Sequence, residues 1–571
     1  MVELVDTHAL GACANRLAGS TPVAGTITKN THNGYIFCVI IISRMGKITK
    51  YLNQLTVGNV FDSPEILEEY STDCSALKIK PKFVAFPEST DDIRKLMRFF
   101  NQLSAKDIKV AVTVRGGGHD ENGADLGSGV IISTEKLNHL LEIDPRERLV
   151  RVQSGITLKE LNTALSVSGL HIPIDGRNDD TIGGLISNNL TDECAQKYGG
   201  IQKYVERIEV VLANGECLQT ERLRKYAVAK KAVEKSLEGD LYRKISKVIK
   251  ENTNLIESLK STKSLAGYPG IKDAPKKETL DLMPLFFGAE GTLGIISEVI
   301  LRAIPLKKHP KRVVATFKDI DQAVKYAETI LPLKPRKLNI FDLKIIMEAR
   351  ESGKNLDGVI KKLEDGYVVF ANFDEHPNWN IKKLKNMGDK LPRNAKFIYE
   401  SQNDRPTLNE FENSLVNYLS YVKNGERAPI LTNFYLPRHN LKHFVEDIKV
   451  LEKKLDLKLE LYGSLGTSIY NLRPKLNLED EEFNKKATMF LRAGAYIIGR
   501  QGGELVSGAP EGRLKAVITS TTILEPEIKL YNEIKEIFDQ NDILNPDIKL
   551  GANSKFTLTH FRDINQTKIM I

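Results

Sequence analysis

A run of glycines between two apolar segments is the part of this sequence best suited to chemistry. Arg115-Gly-Gly-Gly118 leads into His119-Asp-Glu-Asn-Gly123. Adjacent glycines leave the backbone N–H groups uncovered, and such a nest suits the pyrophosphate of a dinucleotide. A tight turn between two strands would use the same glycines without any ligand. The run alone therefore leaves both interpretations open.

Two further loops combine small residues with polar ones. The first is Thr181-Ile-Gly-Gly184 with Asn188, followed by Tyr198-Gly199, and the second is Glu290-Gly291 with Gly294-Ile295. Paired glycines permit close approach of a ligand, and the threonine and asparagine offer hydrogen bonds to phosphate or ribose. Taken one at a time, each loop is also explained as a turn into a helix or strand.

The segments around these loops predict a mixed architecture. Apolar residues favour strands at 108–114 and 130–132, on either side of the glycine run. Ser89–Phe100 begins with helix-capping residues that are followed by apolar positions at helical spacing, and Thr157–Ser166 has the pattern of an amphipathic helix. Because strands and helices mix without strict alternation, the pattern favours an α+β fold. The composition shifts after Pro305, and we place a domain boundary at 306–310.

Charge and cysteine content exclude several classes of protein. The formal charge of +8 comes from 82 basic and 74 acidic residues, scattered without a basic stripe, which predicts no nucleic-acid partner. The five cysteines form no Cys-x-x-Cys pair, which argues against an iron–sulfur or structural zinc site. No apolar run reaches the roughly 18 residues that span a bilayer. We predict a cytoplasmic protein, with peripheral contact at the inner face of the membrane left open.

The first 44 residues carry no clear helical or strand period. The stretches 1–7 and 19–22 read like the translation of a leucine transfer-RNA gene. We therefore expect residues 1–44 to be a non-native or disordered extension, with Met45 as the natural alternative start.

Taken in order, these loops resemble the PCMH-type FAD-binding fold of the vanillyl-alcohol-oxidase superfamily. The closer likeness is to FAD-linked D-lactate and glycolate dehydrogenases, and it covers roughly residues 65 to 550. The resemblance implies a two-lobed FAD-binding domain at 78–305 and a substrate (cap) domain at 306–550. It implies FAD as the cofactor, with these residues around it: Arg115, Gly116, Gly117, Gly118, His119, Asp120, Gly123, Asp175, Thr181, Gly183, Gly184, Asn188, Tyr198, Gly199, Glu290, Gly291, Gly294 and Ile295.

His119 is the first departure from the dehydrogenase pattern, which has threonine at this position. The stretch instead matches relatives of berberine bridge enzyme, whose histidine bonds covalently to the flavin. Two interpretations of His119 stay open here. In one it is a non-covalent neighbour of the flavin or the phosphate, and in the other it is the tether of a covalent-FAD sugar or alcohol oxidase.

The second departure lies in the C-terminal half. Dehydrogenases of 2-hydroxy acids carry Gly-His-x-Gly-Asp-Gly-Asn-x-His and a later Glu-His-Gly, whose histidines serve as metal ligands and base. Here the corresponding stretches are 463–471 and 507–513, which contain no histidine, so we predict no metal site. Tyr470 and Arg473 become the candidate catalytic residues, as a base or donor and as a carboxylate clamp.

The sequence therefore predicts an FAD-dependent oxidoreductase that oxidises a small organic hydroxyl compound, similar to a 2-hydroxy acid, by hydride transfer to flavin N5. Its partners would be a small-molecule substrate and an electron acceptor, either a quinone, a protein carrier or oxygen. A flavin-binding protein that has lost its chemistry is the non-enzymatic alternative.

Overall fold

The computed structural model describes residues 47–307, 311–351, 366–374, 396–399, 415, 418–419, 428–476, 482–549 and 552–562. The chain divides into an N-terminal unit, Met1–Lys50, and a larger unit, Tyr51–Ile571. Of the first unit only 47–50 are described, and they are helical. The predicted extension 1–44 lies outside the described residues. All the architecture below belongs to the larger unit.

Two sheets carry most of the strands before residue 306. In chain order the strands are β1 (Asn59–Phe61), β2 (Phe83–Phe86), β3 (Val112–Arg115), β4 (Val130–Ser133), β5 (Leu140–Asp144), β6 (Leu149–Gln153), β7 (Leu170–His171), β8 (Val205–Val211), β9 (Cys217–Gln219), β10 (Leu223–Arg224), β11 (Pro275–Lys276), β12 (Thr279–Leu280), β13 (Ile295–Arg302) and β14 (Ile304–Pro305). One sheet has the order β1-β2-β4-β3, and β4 runs parallel to both its neighbours. The other has the antiparallel order β5-β6-β13-β8-β9.

Helices of this first part pack beside the two sheets. They are α1 (Pro64–Glu69), α2 (Thr90–Ser104), α3 (Leu158–Ser166), α4 (Ile182–Asn188), α5 (Ala195–Tyr198), α6 (Lys225–Ala232), α7 (Leu237–Glu251) and α8 (Thr253–Leu259). The cap predicted for α2 is present, and α3 is capped as well. Ser89 accepts a hydrogen bond from the N–H of Asp92 at the start of α2. Thr157 and Glu160 form a capping box on α3.

A third sheet dominates the part after residue 306. Its strands are β15 (Lys311–Phe317), β16 (Lys337–Asp342), β17 (Tyr367–Phe373), β18 (Lys396–Tyr399), β19 (Leu431–Tyr435), β20 (Lys458–Ser464) and β21 (Ile469–Lys475). They lie in the antiparallel order β18-β15-β17-β16-β20-β21-β19. Helices α9 (Ile320–Ile330), α10 (Leu343–Glu351), α11 (Leu441–Leu455) and α12 (Phe483–Arg500) accompany this sheet. Apolar residues of three of them (α9, α11 and α12) share one buried core with it.

The last described helices return to the first part of the molecule. They are α13 (Gly512–Thr522), α14 (Glu525–Phe538) and α15 (Ser554–Thr559). From α14, Leu530, Tyr531, Ile534 and Phe538 are buried in the same core as the strands of the five-stranded sheet. The sequence placed this segment in the substrate domain, whereas its apolar face packs on the FAD-binding part. The predicted boundaries, 78–305 and 306–550, stay predictions.

Segregated sheets and helices confirm the predicted α+β class. Strand β3 begins at Val112, later than the predicted start, because 108–111 lie outside the ladder that joins β3 to β4. Within the described part of the chain, every helix is too short or too polar to cross a bilayer.

The packing of α14 gives a test of this architecture. Ile534 is fully buried, whereas Leu524, just before the same helix, is 64% exposed. We expect Ile534→Ala to lower the free energy of unfolding by about 2 to 5 kcal/mol, because it opens a cavity in the core. Leu524→Ala should change it by less than about 0.5 kcal/mol. Equal effects in urea denaturation of the two variants would contradict this packing.

Candidate functional site

The glycine loops and one face of the seven-stranded sheet enclose a cavity of about 1550 Å³. Pockets for small molecules commonly measure roughly 300 to 1,000 Å³, so this one has room for a dinucleotide and a substrate together. Fifteen of the residues predicted from the sequence line it: Gly116, Gly117, Gly118, His119, Asp120, Asp175, Thr181, Gly183, Gly184, Asn188, Glu290, Gly291, Gly294, Ile295 and Arg473.

Two glycines allow the loops of the cavity to touch. The hydroxyl of Thr181 caps α4 and accepts a hydrogen bond from the N–H of Gly184 at 3.2 Å. A Cβ on Gly116 would lie 2.3 Å from this hydroxyl oxygen, and one on Gly183 would lie 2.8 Å from Cβ of Ser154. Real Cβ contacts are longer, so any larger residue would push the loops apart. The two glycines therefore allow the loops to pack closely. They also leave this part of the cavity wall, called the cradle below, without side chains.

Four predicted cofactor residues lie beside the cavity rather than on its wall. Arg115 donates to the carbonyl of Thr72 at 2.8 Å and stacks over the ring of Tyr70. Gly123 packs against Leu77. Tyr198 donates its hydroxyl hydrogen to the carboxylate of Asp374, and Gly199 ends the short helix that carries it. These residues support the loops and hold the cap sheet to the FAD-binding part.

Tyr470 is not on the cavity wall, which corrects the prediction for this residue. Side chains alternate along β21, so that Ile469, Asn471 and Arg473 face the cavity. Tyr470 points to the opposite face and is fully buried in the core of the cap. The sequence signal was a tyrosine three residues before an arginine, and it did not reveal which face of the strand each would occupy.

Arg473 lies on the wall, as predicted, together with two residues that the sequence did not single out. Its Nε donates to the hydroxyl of Tyr462 at 2.8 Å, and its Nη2 donates to Oε1 of Glu121 at 2.7 Å. Arg177 approaches the same carboxylate oxygen at 3.6 Å. Burial raises the pKa of Tyr462 far above its ordinary value, although Arg473 opposes this. The sequence offered one signal for Glu121, which is an acidic residue close behind a glycine loop.

His119 is held by two carboxylates. Its Nδ1 lies 2.9 Å from Asp180 and its Nε2 lies 3.2 Å from Asp179. The imidazole is partly buried at the cavity edge. Both ring nitrogens therefore already have partners within the protein.

Glu290 belongs to a buried ion cluster behind the cavity. Lys549 lies 3.0 Å from Glu290 and 3.2 Å from Glu511, and the N–H of Gly512 donates to Glu290 at 2.8 Å. Burial raises the pKa of Glu290 to about 7, although Lys549 lowers it. The amide of Asn545 donates to the carbonyl of Glu290 at 2.8 Å. This contact attaches the loop at Glu290–Gly294 to the chain at Asn545.

Two other carboxyl groups of the wall are held by the backbone. Asp120 accepts N–H groups from Asn122 and Ala124 at 2.7 and 2.9 Å. Burial, followed by the charge of Asp125, raises the pKa of Asp120 to about 6. Asp192 accepts two backbone N–H groups as well, and burial raises its pKa to about 6.

Two stretches in which the sequence offers no histidine reach the wall of the cavity. Ser464, Asn471 and Ala509 line it, from the stretches 463–471 and 507–513. Neither a hydroxyl, an amide nor a methyl group replaces an imidazole as metal ligand or base. Among the described residues, no group of three or more His, Cys, Asp and Glu side chains is arranged to hold a metal ion.

The residues present fit a bound dinucleotide. Buried atoms of three wall residues lack a hydrogen-bond partner among the described residues: Oδ1 of Asn122, Oγ of Ser154 and Oγ1 of Thr467. Such atoms are rare in folded proteins and call for a ligand or water. Together with the cradle at Gly116 and Gly183, they suit a polar ligand with many acceptors and donors, as FAD is.

Comparison with known families divides the chain in the same order. Residues 81–221 match the family described as FAD binding domain. Residues 306–548 match the family described as FAD linked oxidases, C-terminal domain.

Individual proteins of known name are similar to this chain over most of its length. The chain is 26% identical to a D-2-hydroxyglutarate dehydrogenase of Pseudomonas putida over 83% of this chain and 49% of that protein. It therefore spans about half the length of this relative. It is 23% identical to a D-lactate dehydrogenase of Anaerostipes hadrus over 86% of this chain and 95% of that one. The structure of 4-ethylphenol oxidase from Gulosibacter chungangensis matches with a TM-score of 0.66 at 16% identity, covering 90% and 98% of the two chains.

The fold is that of PCMH-type FAD oxidases. The chain carries an FAD-binding domain and the C-terminal domain of the FAD-linked oxidases, and FAD is its cofactor. The resemblance seen in the sequence is thereby confirmed.

Gly183 offers a test of the cradle. We expect Gly183→Ala to reduce the FAD bound per chain, because its Cβ would meet Ser154 and separate the loops. Gly499 lies in α12, and a Cβ there meets nothing within 4 Å. Gly499→Ala should keep the full FAD content and stabilise the protein by up to about 1 kcal/mol. Equal FAD content in the two purified variants would argue against the cradle.

Asp120 gives a second test, through pH. Its folded-state pKa of about 6 lies above the usual value of 3.8. The folded protein thus binds the proton more tightly than the unfolded chain, and stability from this group is lost as pH rises from about 4 to 6. In apoprotein, Asp120→Asn should flatten the fall in unfolding free energy over this range. Asp91→Asn should not flatten it, because Lys95 lowers the pKa of this exposed carboxyl. An unchanged slope in Asp120→Asn would contradict the shift.

Proposed function

We propose that this protein oxidises a small 2-hydroxy acid with bound FAD as the hydride acceptor. The observation that carries the proposal is one cavity shared by the cofactor loops and by the cap face that presents Arg473. Guanidinium groups bind carboxylates through paired, charge-assisted hydrogen bonds. A hydroxy acid held there would lie between the flavin side and the cap side of the cavity.

The names of the relatives support this substrate class. Proteins similar over most of this chain are called D-2-hydroxyglutarate dehydrogenase and D-lactate dehydrogenase. Another relative, from Bacillus subtilis, is called a glycolate oxidase subunit. All three names refer to a 2-hydroxy acid, although their side chains differ.

The cofactor roles follow from placement on the wall. The loops at 116–118 and 181–184 would hold the pyrophosphate, and the loop at 291–295 would pack against the flavin. Bound FAD supplies a hydride acceptor at N5 of its ring. The protein's own residues bind the carboxylate, orient the hydroxyl-bearing carbon and exclude water from the cavity.

His119 is proposed as a non-covalent neighbour of the cofactor. A covalent link would have to displace Asp180 from Nδ1 or Asp179 from Nε2. The electron acceptor, whether a quinone, a protein carrier or oxygen, stays a prediction. The same holds for a cytoplasmic location and for peripheral contact with a membrane.

The link to the cofactor is tested on the purified protein. We expect a flavin absorbance band whose colour moves to the supernatant on acid precipitation. Colour that stays in the pellet and disappears in His119→Ala would instead establish the covalent oxidase. A protein that takes up no FAD at all would overturn the proposed function.

The reaction is tested by anaerobic bleaching of the flavin. D-lactate, D-2-hydroxyglutarate and glycolate are the probes, with sugars and simple alcohols as the comparison set. We expect at least one hydroxy acid to bleach the flavin faster than any compound of the comparison set. Bleaching by sugars or alcohols alone would refute the substrate class, and no bleaching by any compound would favour an inert flavin-binding protein.

A further inference from the structure

Oxidation of a hydroxyl group requires a proton acceptor as well as a hydride acceptor. In this chain the stretches 463–471 and 507–513, which contain no histidine, bring Ser464, Asn471 and Ala509 to the wall. None of these side chains can take up a proton near neutral pH. If the protein has the proposed function, another residue of the cavity must therefore do so.

Most carboxylates of the wall are already engaged. Asp120 and Asp192 each accept two backbone N–H groups. Asp175 is paired with Lys337, and Glu193 accepts the amide hydrogens of Asn339. A carboxylate held in this way fixes a loop and has little freedom to receive a substrate proton.

Other carboxylates serve His119 and the buried cluster. Asp179 and Asp180 hold the two nitrogens of His119. Glu290 is bound to Lys549 and to the N–H of Gly512. These groups support the cofactor loops.

Glu121 is bound differently. Both of its ion pairs, to Arg473 at 2.7 Å and to Arg177 at 3.6 Å, use the same oxygen, Oε1. Within the described part of the chain, no hydrogen bond reaches Oε2. The side chain is 16% exposed and lines the cavity. One oxygen is therefore anchored while the other is available to a ligand.

The position of Glu121 is equally specific. It follows His119 and Asp120 at the end of the first glycine loop, on the cofactor side. Its partner Arg473 lies two residues beyond Asn471 on the cavity face of β21. The pair thus joins the cofactor loop to the wall where a substrate would bind.

We propose that Glu121 is the catalytic base of this enzyme and that Arg473 and Arg177 bind the substrate carboxylate. The O–H bond breaks and its proton goes to Oε2 of Glu121. The C–H bond of the carbon that bears this hydroxyl would also break, and bound FAD would supply the acceptor for the hydrogen and its electron pair. The C–O single bond becomes the carbonyl of a 2-oxo acid, and the proton is later released to solvent.

Electrostatics of the cavity favour this arrangement. Acidic side chains outnumber basic ones on the wall, so an anionic substrate needs a guanidinium group to bind. Arg473 uses Nε for Tyr462 and Nη2 for Glu121, which leaves donors on Nη1 and Nη2 for a second carboxylate.

The test is anaerobic stopped-flow reduction of the flavin by the hydroxy acid that bleaches the wild-type protein. Saturation of the rate gives the reduction rate constant and the substrate Kd separately. We expect Glu121→Gln to lower the rate constant about 100-fold or more, as loss of a general base does. Its Kd should stay within about threefold and its FAD content should not change. Glu121→Asp, which keeps the carboxylate, should recover at least a tenth of the wild-type rate.

Two further variants complete the design. Arg473→Lys should raise the Kd about tenfold or more, because a charge-assisted hydrogen bond contributes about 1.5 to 3 kcal/mol. Glu193→Gln removes a carboxylate from another part of the same wall, and its rate constant should fall far less than that of Glu121→Gln. A reduction rate in Glu121→Gln within threefold of wild type overturns the inference.

Loss of folding or of FAD does not end the test. In that case Glu121→Asp decides. With full FAD, a rate constant between about a tenth and a third of the wild-type value supports the role of base, because the shorter side chain displaces the carboxylate. Full FAD with a rate constant within threefold of wild type rejects the role, because a merely structural role would then be met by aspartate. If no hydroxy acid reduces the wild-type flavin, the proposed function itself fails, which is a separate outcome.

Discussion

The buried ion cluster of Lys549, Glu290 and Glu511 is the constraint on which the rest of the site depends. Three charges without access to water are stable only when their geometry satisfies each of them. Here Lys549 bridges two carboxylates, which also accept N–H groups from Gly512 and Gly267. The cluster joins the third glycine loop, the start of α13 and the segment that follows α14. Cofactor loop and C-terminal segment are therefore fixed by one interaction.

A second cross-connection operates at the cavity itself. Arg473 comes from the cap sheet and Glu121 from the first glycine loop, and they meet with the arginine almost fully buried. Tyr198 and Lys197 bind Asp374 in a similar way. The two halves of the molecule are thus held together by polar contacts on the cavity wall and beside it. The residues that hold the two halves together would also bind the substrate and the cofactor.

Local patterns in the sequence were sufficient for much of this structure. The capping residues at Ser89 predicted α2, and the amphipathic pattern of Thr157–Ser166 predicted α3. The order of the glycine loops along the chain indicated the fold and its cofactor. These signals are local or ordered along the chain, so they are visible without coordinates. Which side chains of β21 face the cavity could not be predicted from the sequence. This strand packs on both sides, and its residues do not alternate cleanly between apolar and polar. Tyr470 was therefore placed in the cavity although it belongs to the core.

The partners of Glu121 could not be read from the sequence either. Residues 121 and 473 are 352 positions apart, and no local pattern links them. Only the packing of the cap against the FAD-binding part brings them together. The same holds for α14, which the sequence assigned to the cap and which completes the first core.

This return of α14 has a consequence for how the protein is made. The first core contains side chains from strands near residue 150 and from Phe538. Domains generally fold as the chain leaves the ribosome, N-terminal part first. Here the core of the FAD-binding part becomes complete only once the chain has been synthesised as far as Phe538. Until then the apolar surface that α14 covers lacks its partner.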